Sequence, residues 1–332
     1  MNDKTAFIGA GRWALALALK LAEKGRNVAL WEANHANLAR LLAARKHPDL
    51  PERVVIPDGV KASGDLPAAL AGAELVVFAV PSDALAEAAR LAQPLIDSAQ
   101  TIVTVTKGIE PATLKRMSIV LKDMLRNKPV VVLAGPAIPY DMALGDPTSL
   151  LAASDDEPAA ELVRDAFTGG NLRVYSHSDV VGVELGAALK NVIALAAGIA
   201  DGLGLGINAK AALLSRGLAE MIRLGIAFNA NPMTFAGLSG MGDLIVTSFS
   251  DRSRNHALGV SIGKGESVKS ACTSLTGVAE GVTTARSARA LAARQRVEMP
   301  ITEEVCRILF EGAAPRDSIE RLLKRRPKPE NG

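Results

Sequence analysis

The chain has 332 residues, 48% of them hydrophobic and 22% charged, with a net charge of +3. That length predicts two ordinary domains, because a single core stops growing near ~250–300 residues. The small net charge argues against nucleic acid or an acidic membrane as partner, and Cys272 and Cys306 lack the spacing of a disulfide framework or a zinc site.

The two cysteines therefore read as thiols in a reducing compartment, and the scattered His35, His47, His177 and His256 predict no metal. Asp3 and Lys4 lead directly into an apolar run, so no signal peptide is expected. The most apolar stretch, Val181 to Ile199, is interrupted by Glu184 and Lys190 and falls short of the ~20 apolar residues of a membrane span. The expectation is a soluble, cytoplasmic protein without integral membrane association.

In chain order, Thr5–Gly9 reads as a first strand and Trp13–Lys24 as a first helix, ended by Gly25. Val28–Glu32, Leu75–Val80, Thr101–Thr106 and Val130–Ala134 follow as strands, with Ala/Leu-rich helical stretches between. Uninterrupted apolar runs such as Val76 to Val80 suit strands buried on both faces, as in a parallel sheet covered by helices. From about Asp179 the strand signals stop. Val183–Ala200, Ala209–Ala227, Pro232–Ser239, Ser253–Gly263, Val282–Gln295 and Thr302–Phe310 have helical periodicity. Glycines at 198, 202, 204 and 206 are expected to break the first two of these helices apart. The predicted plan is an α/β domain over 1–178 and an all-helical domain over 179–332. The basic tail Lys324-Arg325-Arg326-Pro327-Lys328-Pro329 reads as a frayed, solvated end.

Gly9-Ala10-Gly11-Arg12-Trp13-Ala14 fits G-x-G-x-x-G/A between the first strand and the first helix, the context of a Rossmann-like doubly wound sheet. Gly9 permits the tight turn, Gly11 lets backbone N–H groups approach a pyrophosphate, and Ala14 allows close helix–strand packing. Glu32, 23 residues after Gly9, stands where a carboxylate binds the adenosine ribose of NAD and repels the 2′-phosphate of NADP. Three cations are candidates for substrate chemistry. Lys107 follows a strand and so sits at the carboxyl end of the sheet; Lys190 is nearly alone in an apolar helix and should either face a polar cleft or snorkel to solvent; Arg254 lies in Ser253-Arg254-Asn255.

Together these segments resemble the bacterial-type NAD(P)-dependent glycerol-3-phosphate dehydrogenases. The resemblance runs through the glycine turn with Trp13, Thr106-Lys107-Gly108, Ala134-Gly135-Pro136-Ala137, Gly182-Val183-Glu184-Leu185 and Lys190-Asn191. It continues through Arg216 to Met221, Gly240-Met241-Gly242-Asp243-Leu244, Ser253-Arg254-Asn255, Glu280-Gly281 and Glu298 to Glu304.

The resemblance implies reduction of dihydroxyacetone phosphate to sn-glycerol 3-phosphate for glycerophospholipid synthesis. It implies Lys190 as general acid/base, Asp243 orienting it, and Lys107 touching substrate and cofactor. Gly135, Asn191, Ser253, Arg254 and Asn255 would hold the substrate. Arg12, Trp13, Arg254, Val278 and Glu280 would join Gly9, Gly11, Glu32 and Lys107 around the cofactor. A homodimer built from the helical half is a further implication. Three departures stand out: Ala137 offers no hydroxyl, Pro139 lacks a backbone N–H, and Glu32-Ala33 leaves no cation for a 2′-phosphate. Two rival readings are a related two-domain dehydrogenase with another small substrate and a non-catalytic NADH-binding sensor.

Overall fold

The computed structural model describes residues 3–126, 128–275, 277–327 and 329–330. Lys328 of the basic tail, with the final Asn331 and Gly332, lies outside them.

Eight strands form one sheet: β1 (Thr5–Ile8), β2 (Val28–Trp31), β3 (Val60–Ser63), β4 (Leu75–Phe78), β5 (Thr101–Thr104), β6 (Val130–Ala134), β7 (Thr148–Ala153) and β8 (Leu172–His177). Their order is β3-β2-β1-β4-β5-β6-β7-β8, with β6–β7 the antiparallel pair in an otherwise parallel sheet. The expected doubly wound plan is therefore present. Every residue of β1, β4 and β6 is buried, which is why those runs are continuously apolar.

Strands β3, β7 and β8 escape a reading of the sequence for physical reasons. β3 carries an exposed Lys61, β7 has only two leucines among Thr, Ser and Ala, and β8 lies at the sheet edge with alternating buried and exposed residues. β1, β2, β4 and β5 also stop earlier than expected, whereas β6 has the expected bounds. Glu32 lies just beyond β2, although its N–H still donates to the Ser63 carbonyl at 3.1 Å.

Helices α1 (Arg12–Glu23), α2 (His35–Ala44), α3 (Leu66–Leu70), α4 (Leu85–Ala92), α5 (Met117–Met124), α6 (Pro139–Leu144) and α7 (Glu157–Phe167) flank the strands. Pro139 opens α6 as one of its first residues. There its missing N–H is one that the helix would leave unsatisfied anyway, so this departure is structurally neutral.

After β8 the chain is helical: α8 (Val180–Gly202), α9 (Ile207–Ala227), α10 (Pro232–Ala236), α11 (Asp243–Phe249), α12 (Arg254–Gly263), α13 (Val268–Ser274), α14 (Glu280–Gln295), α15 (Pro300–Glu311) and α16 (Pro315–Leu323). α8 is long and apolar enough, by length and composition, to cross a membrane, but 94% of its apolar window is buried inside the protein. It is the axle around which α9, α11, α12 and α14 pack. Its three charged residues, Glu184, Lys190 and Asp201, have partners; Asp201 meets Lys210 at 2.6 Å and His256 at 2.7 Å. Glu184 accepts from Arg116 Nη1, from the Ser118 N–H at 2.8 Å and from Ser118 Oγ at 2.6 Å, tying α8 to the start of α5.

The glycines overturn part of one expectation. Gly198 lies inside α8 and Gly202 is its last residue, whereas Gly204, with φ 76°, and the N-cap Gly206 do lie in the break before α9, as expected. Gly198 and Gly202 face Gly259 and Gly263 of α12, where a Cβ on Gly259 would lie 2.2 Å from the Leu195 carbonyl oxygen and one on Gly198 2.1 Å from that of His256. Backbone meets backbone, so neither side can yield. This close packing sets the first turn of α12, with Arg254 and Asn255, beside Lys190 and Asn191. Gly259→Ala is expected to lower stability by about 1–3 kcal/mol, read as a lower midpoint in urea unfolding. Wild-type stability in that variant would show that the two helices are not held at this distance.

Candidate active site

Lys190 projects from the middle of α8 and is only 5% exposed. Its Nζ donates to Asp243 Oδ1 at 2.8 Å and to Thr247 Oγ1 at 2.5 Å, so it does not snorkel to solvent. The other carboxylate oxygen, Asp243 Oδ2, accepts from Lys107 Nζ at 2.6 Å. One fully buried carboxylate thus bridges two ammonium groups from different layers: Lys107 from the loop after β5 and Lys190 from α8. Asp243 is the first residue of α11, and a π-helical turn at Leu238–Gly242 leads into it. Such turns concentrate at functional sites. The carboxylate of Asp243 is spent on lysines, not on capping a helix.

Burial pulls the Lys190 ammonium down to about 8, and neighbouring Lys107 adds to this while Asp243 opposes it. Burial would push Asp243 up, but the two lysines outweigh it and hold the carboxyl below its ordinary value. At neutral pH the cluster holds one anion and two cations, a surplus positive charge suited to an oxygen that turns negative.

Around this centre, the Asn255 side chain donates from Nδ2 to Asn191 Oδ1 at 2.9 Å and accepts the Gly281 N–H on Oδ1 at 2.9 Å. That amide pins α12 to α8 and α14. Ser253 is the N-cap of α12, its Oγ accepting the His256 N–H at 3.3 Å, so its hydroxyl has a structural task. The N-terminus of α12 carries Arg254 and Asn255 and presents unsatisfied N–H groups, a suitable seat for a phosphate. Arg254 folds over Gly277 and donates from Nη1 to the Val278 carbonyl at 3.4 Å. Gly135 follows β6 at the carboxyl end of the sheet.

The nucleotide-type crevice lies where strand order reverses, between β1 and β4. Gly9 has φ 103°, and a Cβ there would lie 2.9 Å from the Ala79 carbonyl oxygen, so glycine is required at this turn. Gly11 precedes α1 without a side-chain cap, and nothing lies within 4 Å of where its Cβ would be. The leading N–H groups of α1 therefore face open space. Trp13 Nε1 and Arg254 Nε are buried without a hydrogen-bond partner. These features fit a dinucleotide laid across the crevice.

Arg12 is pulled down to about 10 by burial and then by Arg254, and remains a cation at neutral pH. Half-buried Glu280 is pushed up to about 7 by burial, opposed by Lys107, Lys190 and Arg254. It lies where the crevice meets the lysine cluster. Glu32, at the far end beyond β2, accepts the Asn34 N–H on Oε1 at 2.8 Å.

The sequence reading missed Thr247, which completes the shell of Lys190. Its signal was present, since residues four apart on one helix share a face and Asp243 was already a candidate. His47 was also missed. Burial lowers its pKa, opposed by Asp49, and the cations Arg12, Arg254 and Arg40 lower it further. No local pattern announces that proximity.

Residues 4–160 match the family model for the N-terminus of NAD-dependent glycerol-3-phosphate dehydrogenase, and residues 179–320 match that for its C-terminus. A glycerol-3-phosphate dehydrogenase [NAD(P)+] of Salinibacter ruber is 45% identical over 100% of this chain and 97% of its own. One from Pelotomaculum thermopropionicum is 45% identical over 98% and 94% of the two chains. The crystal structure of glycerol-3-phosphate dehydrogenase from Coxiella burnetii superposes with a TM-score of 0.94 at 36% identity, covering 98% of this chain and 99% of that one. With both halves of the fold matched over nearly their full length, the chain belongs to the NAD(P)-dependent glycerol-3-phosphate dehydrogenases.

Proposed function

We propose that the chain reduces dihydroxyacetone phosphate to sn-glycerol 3-phosphate, reversibly, and prefers NADH to NADPH. The observation that carries this reading is the buried Lys107–Asp243–Lys190 cluster beside the N-terminus of α12. A phosphate seated on Arg254, Asn255 and the α12 N–H groups leaves a three-carbon skeleton reaching toward Lys190. Gly135, Asn191 and Lys107 line that path, and Ser253 holds the helix end in place.

Gly9, Gly11, Arg12 and Trp13 would hold a nicotinamide dinucleotide, which when bound would supply the hydride. Negative charge develops on the C2 oxygen as the carbonyl is reduced, and Lys190 Nζ both stabilises it and delivers the proton. Asp243 fixes the direction of Nζ, and Thr247 accepts one of its remaining hydrogens. Lys107, at the boundary of the two layers, orients substrate against cofactor. Arg254, Val278 and Glu280 close the cofactor side. We divide the labour at 178/179, with the sheet layer binding cofactor and the helical layer binding substrate. A cytoplasmic homodimer supplying glycerophospholipid synthesis is the setting consistent with this activity.

Lys190→Met should lower turnover roughly a hundred- to ten-thousand-fold while NADH binding, followed by its fluorescence, stays intact. Loss of both would make Lys190 a structural residue. The protonated lysine is the acid in reduction, so kcat for dihydroxyacetone phosphate should fall as pH rises through about 8. Oxidation of glycerol 3-phosphate, which needs the neutral amine, should rise over the same window. A flat pair of profiles would contradict the assignment. Glu32→Arg should shift the ratio of kcat/KM from NADH toward NADPH by roughly tenfold or more, one charge contact being worth about 1.5–3 kcal/mol. An unchanged ratio would remove Glu32 from cofactor selection.

A further inference from the structure

A cavity of about 660 Å³ lies within the helical layer, away from Lys190, between α8, α9, α15, α16 and the chain that follows α16. That is more than four times the roughly 150 Å³ that encloses a benzene, and within the range of small-ligand sites. Its wall is mainly apolar, with Ile199, Leu213, Val305, Ile308 and Leu322 among the lining side chains.

Arg216, Arg223, Arg325 and Arg326 also line it. Arg325 meets the Glu298 carboxylate at 2.9 Å. Arg216 and Arg223 are held differently: they donate to the backbone carbonyls of Glu330 and Glu298, at 3.1 Å and at 3.0–3.1 Å. Carbonyls orient these two guanidinium groups without neutralising them. Glu304 and Glu220, two of the four acids of the wall, are occupied elsewhere. Glu304 pairs with Arg307 and Arg321, and Glu220, 1% exposed, turns its carboxylate into the start of α15, accepting from Ile301 N and from Thr302 N and Oγ1. Among the described residues, the cavity thus joins an apolar interior to two guanidinium groups, Arg216 and Arg223, that no carboxylate bonds directly, although the buried Glu220 carboxylate lies within electrostatic reach of Arg223.

We infer that this cavity binds a single-chain amphiphilic anion, with its acyl chain against the apolar wall and its carboxylate or phosphate head on Arg216 and Arg223. Chain and head make separate contributions: the wall is non-directional and tolerates different chain lengths, whereas a guanidinium fork selects planar or tetrahedral oxyanions. Ala196, Ile199 and Ala200 of the wall belong to α8. Ala196 stands six residues beyond Lys190, about 9 Å along the helix axis, so an occupant touches the helix that carries the proposed acid.

The test uses the full-length protein and calorimetric titration with dodecanoate and dodecyl phosphate below their micellar concentrations, with dodecanol and butyrate as controls. One equivalent of dodecanoate or dodecyl phosphate should bind per chain, and the tighter of the two identifies the head group. Dodecanol and butyrate should each bind at least tenfold more weakly. Arg216→Gln combined with Arg223→Gln should remove the advantage of the anion, and Ala212→Phe, which fills the cavity from an exposed position of its wall, should abolish uptake. Turnover of dihydroxyacetone phosphate without amphiphile should be unchanged in both variants. Equal affinity for dodecanoate and dodecanol, or uptake indifferent to Ala212→Phe, would overturn the inference. So would a dimer, seen by analytical ultracentrifugation, that takes up no dodecanoate and dissociates in Ala212→Phe, because a second copy of the chain would then cover this face.

Discussion

A carboxylate with no exposure to solvent, shared between two ammonium groups, is the constraint around which the rest of the molecule is arranged. Asp243 alone in that position would be destabilised by several kcal/mol, and so would either lysine. The three are tolerable only together, and they come from three separated stretches of the chain: the loop after β5, the middle of α8 and the start of α11. The sheet layer and the helical layer therefore have to meet at this point. Desolvation that would be a liability in a merely structural group here tunes Lys190 toward neutrality, to about 8.

The remaining elements keep that meeting point in register. α8 is buried almost throughout, and the glycine contact with α12 brings the arginine–asparagine pair to the same level as Lys190. The amide of Asn255 then locks α8, α12 and α14 together through two hydrogen bonds. On the opposite side the crevice between β1 and β4 is shaped by a turn that admits only glycine. Two rigid half-sites result, and the three-charge cluster lies between them.

Much of this was legible in the sequence. The parallel sheet followed from continuous apolar runs, and Lys190 stood out as a cation in an otherwise apolar helix. Lys107 and Gly9 followed from their places at strand ends, and the family was recognisable from ordered short segments. What escaped depends on tertiary context. β7 has no β-branched run and could as well have been helix, because its strand character comes from pairing with β6 and β8. The role of Gly198 and Gly202 was misread as helix breaking, since their reason is a second backbone that only the fold brings close. Thr247 is an ordinary residue locally and becomes part of the site through packing. The dominance of burial over charge in setting Lys190 likewise required knowing how deep it lies.

The contact of Glu184 with Arg116 and Ser118 bears on how such a chain can be cut and recombined. Glu184 sits one turn into α8, yet all its partners belong to the segment that opens α5, some seventy residues earlier. A chain divided after β8 would leave that carboxylate in an apolar surface with nothing to accept from, and Arg116 without its counter-charge. Breaking a buried pair in this way costs about 3–5 kcal/mol, a large share of the ~5–15 kcal/mol that holds a typical protein folded. The sheet half and the helical half are therefore not interchangeable modules. A chimaera that grafts one onto a foreign partner must carry over the arginine, the serine and the glutamate as a single inherited unit.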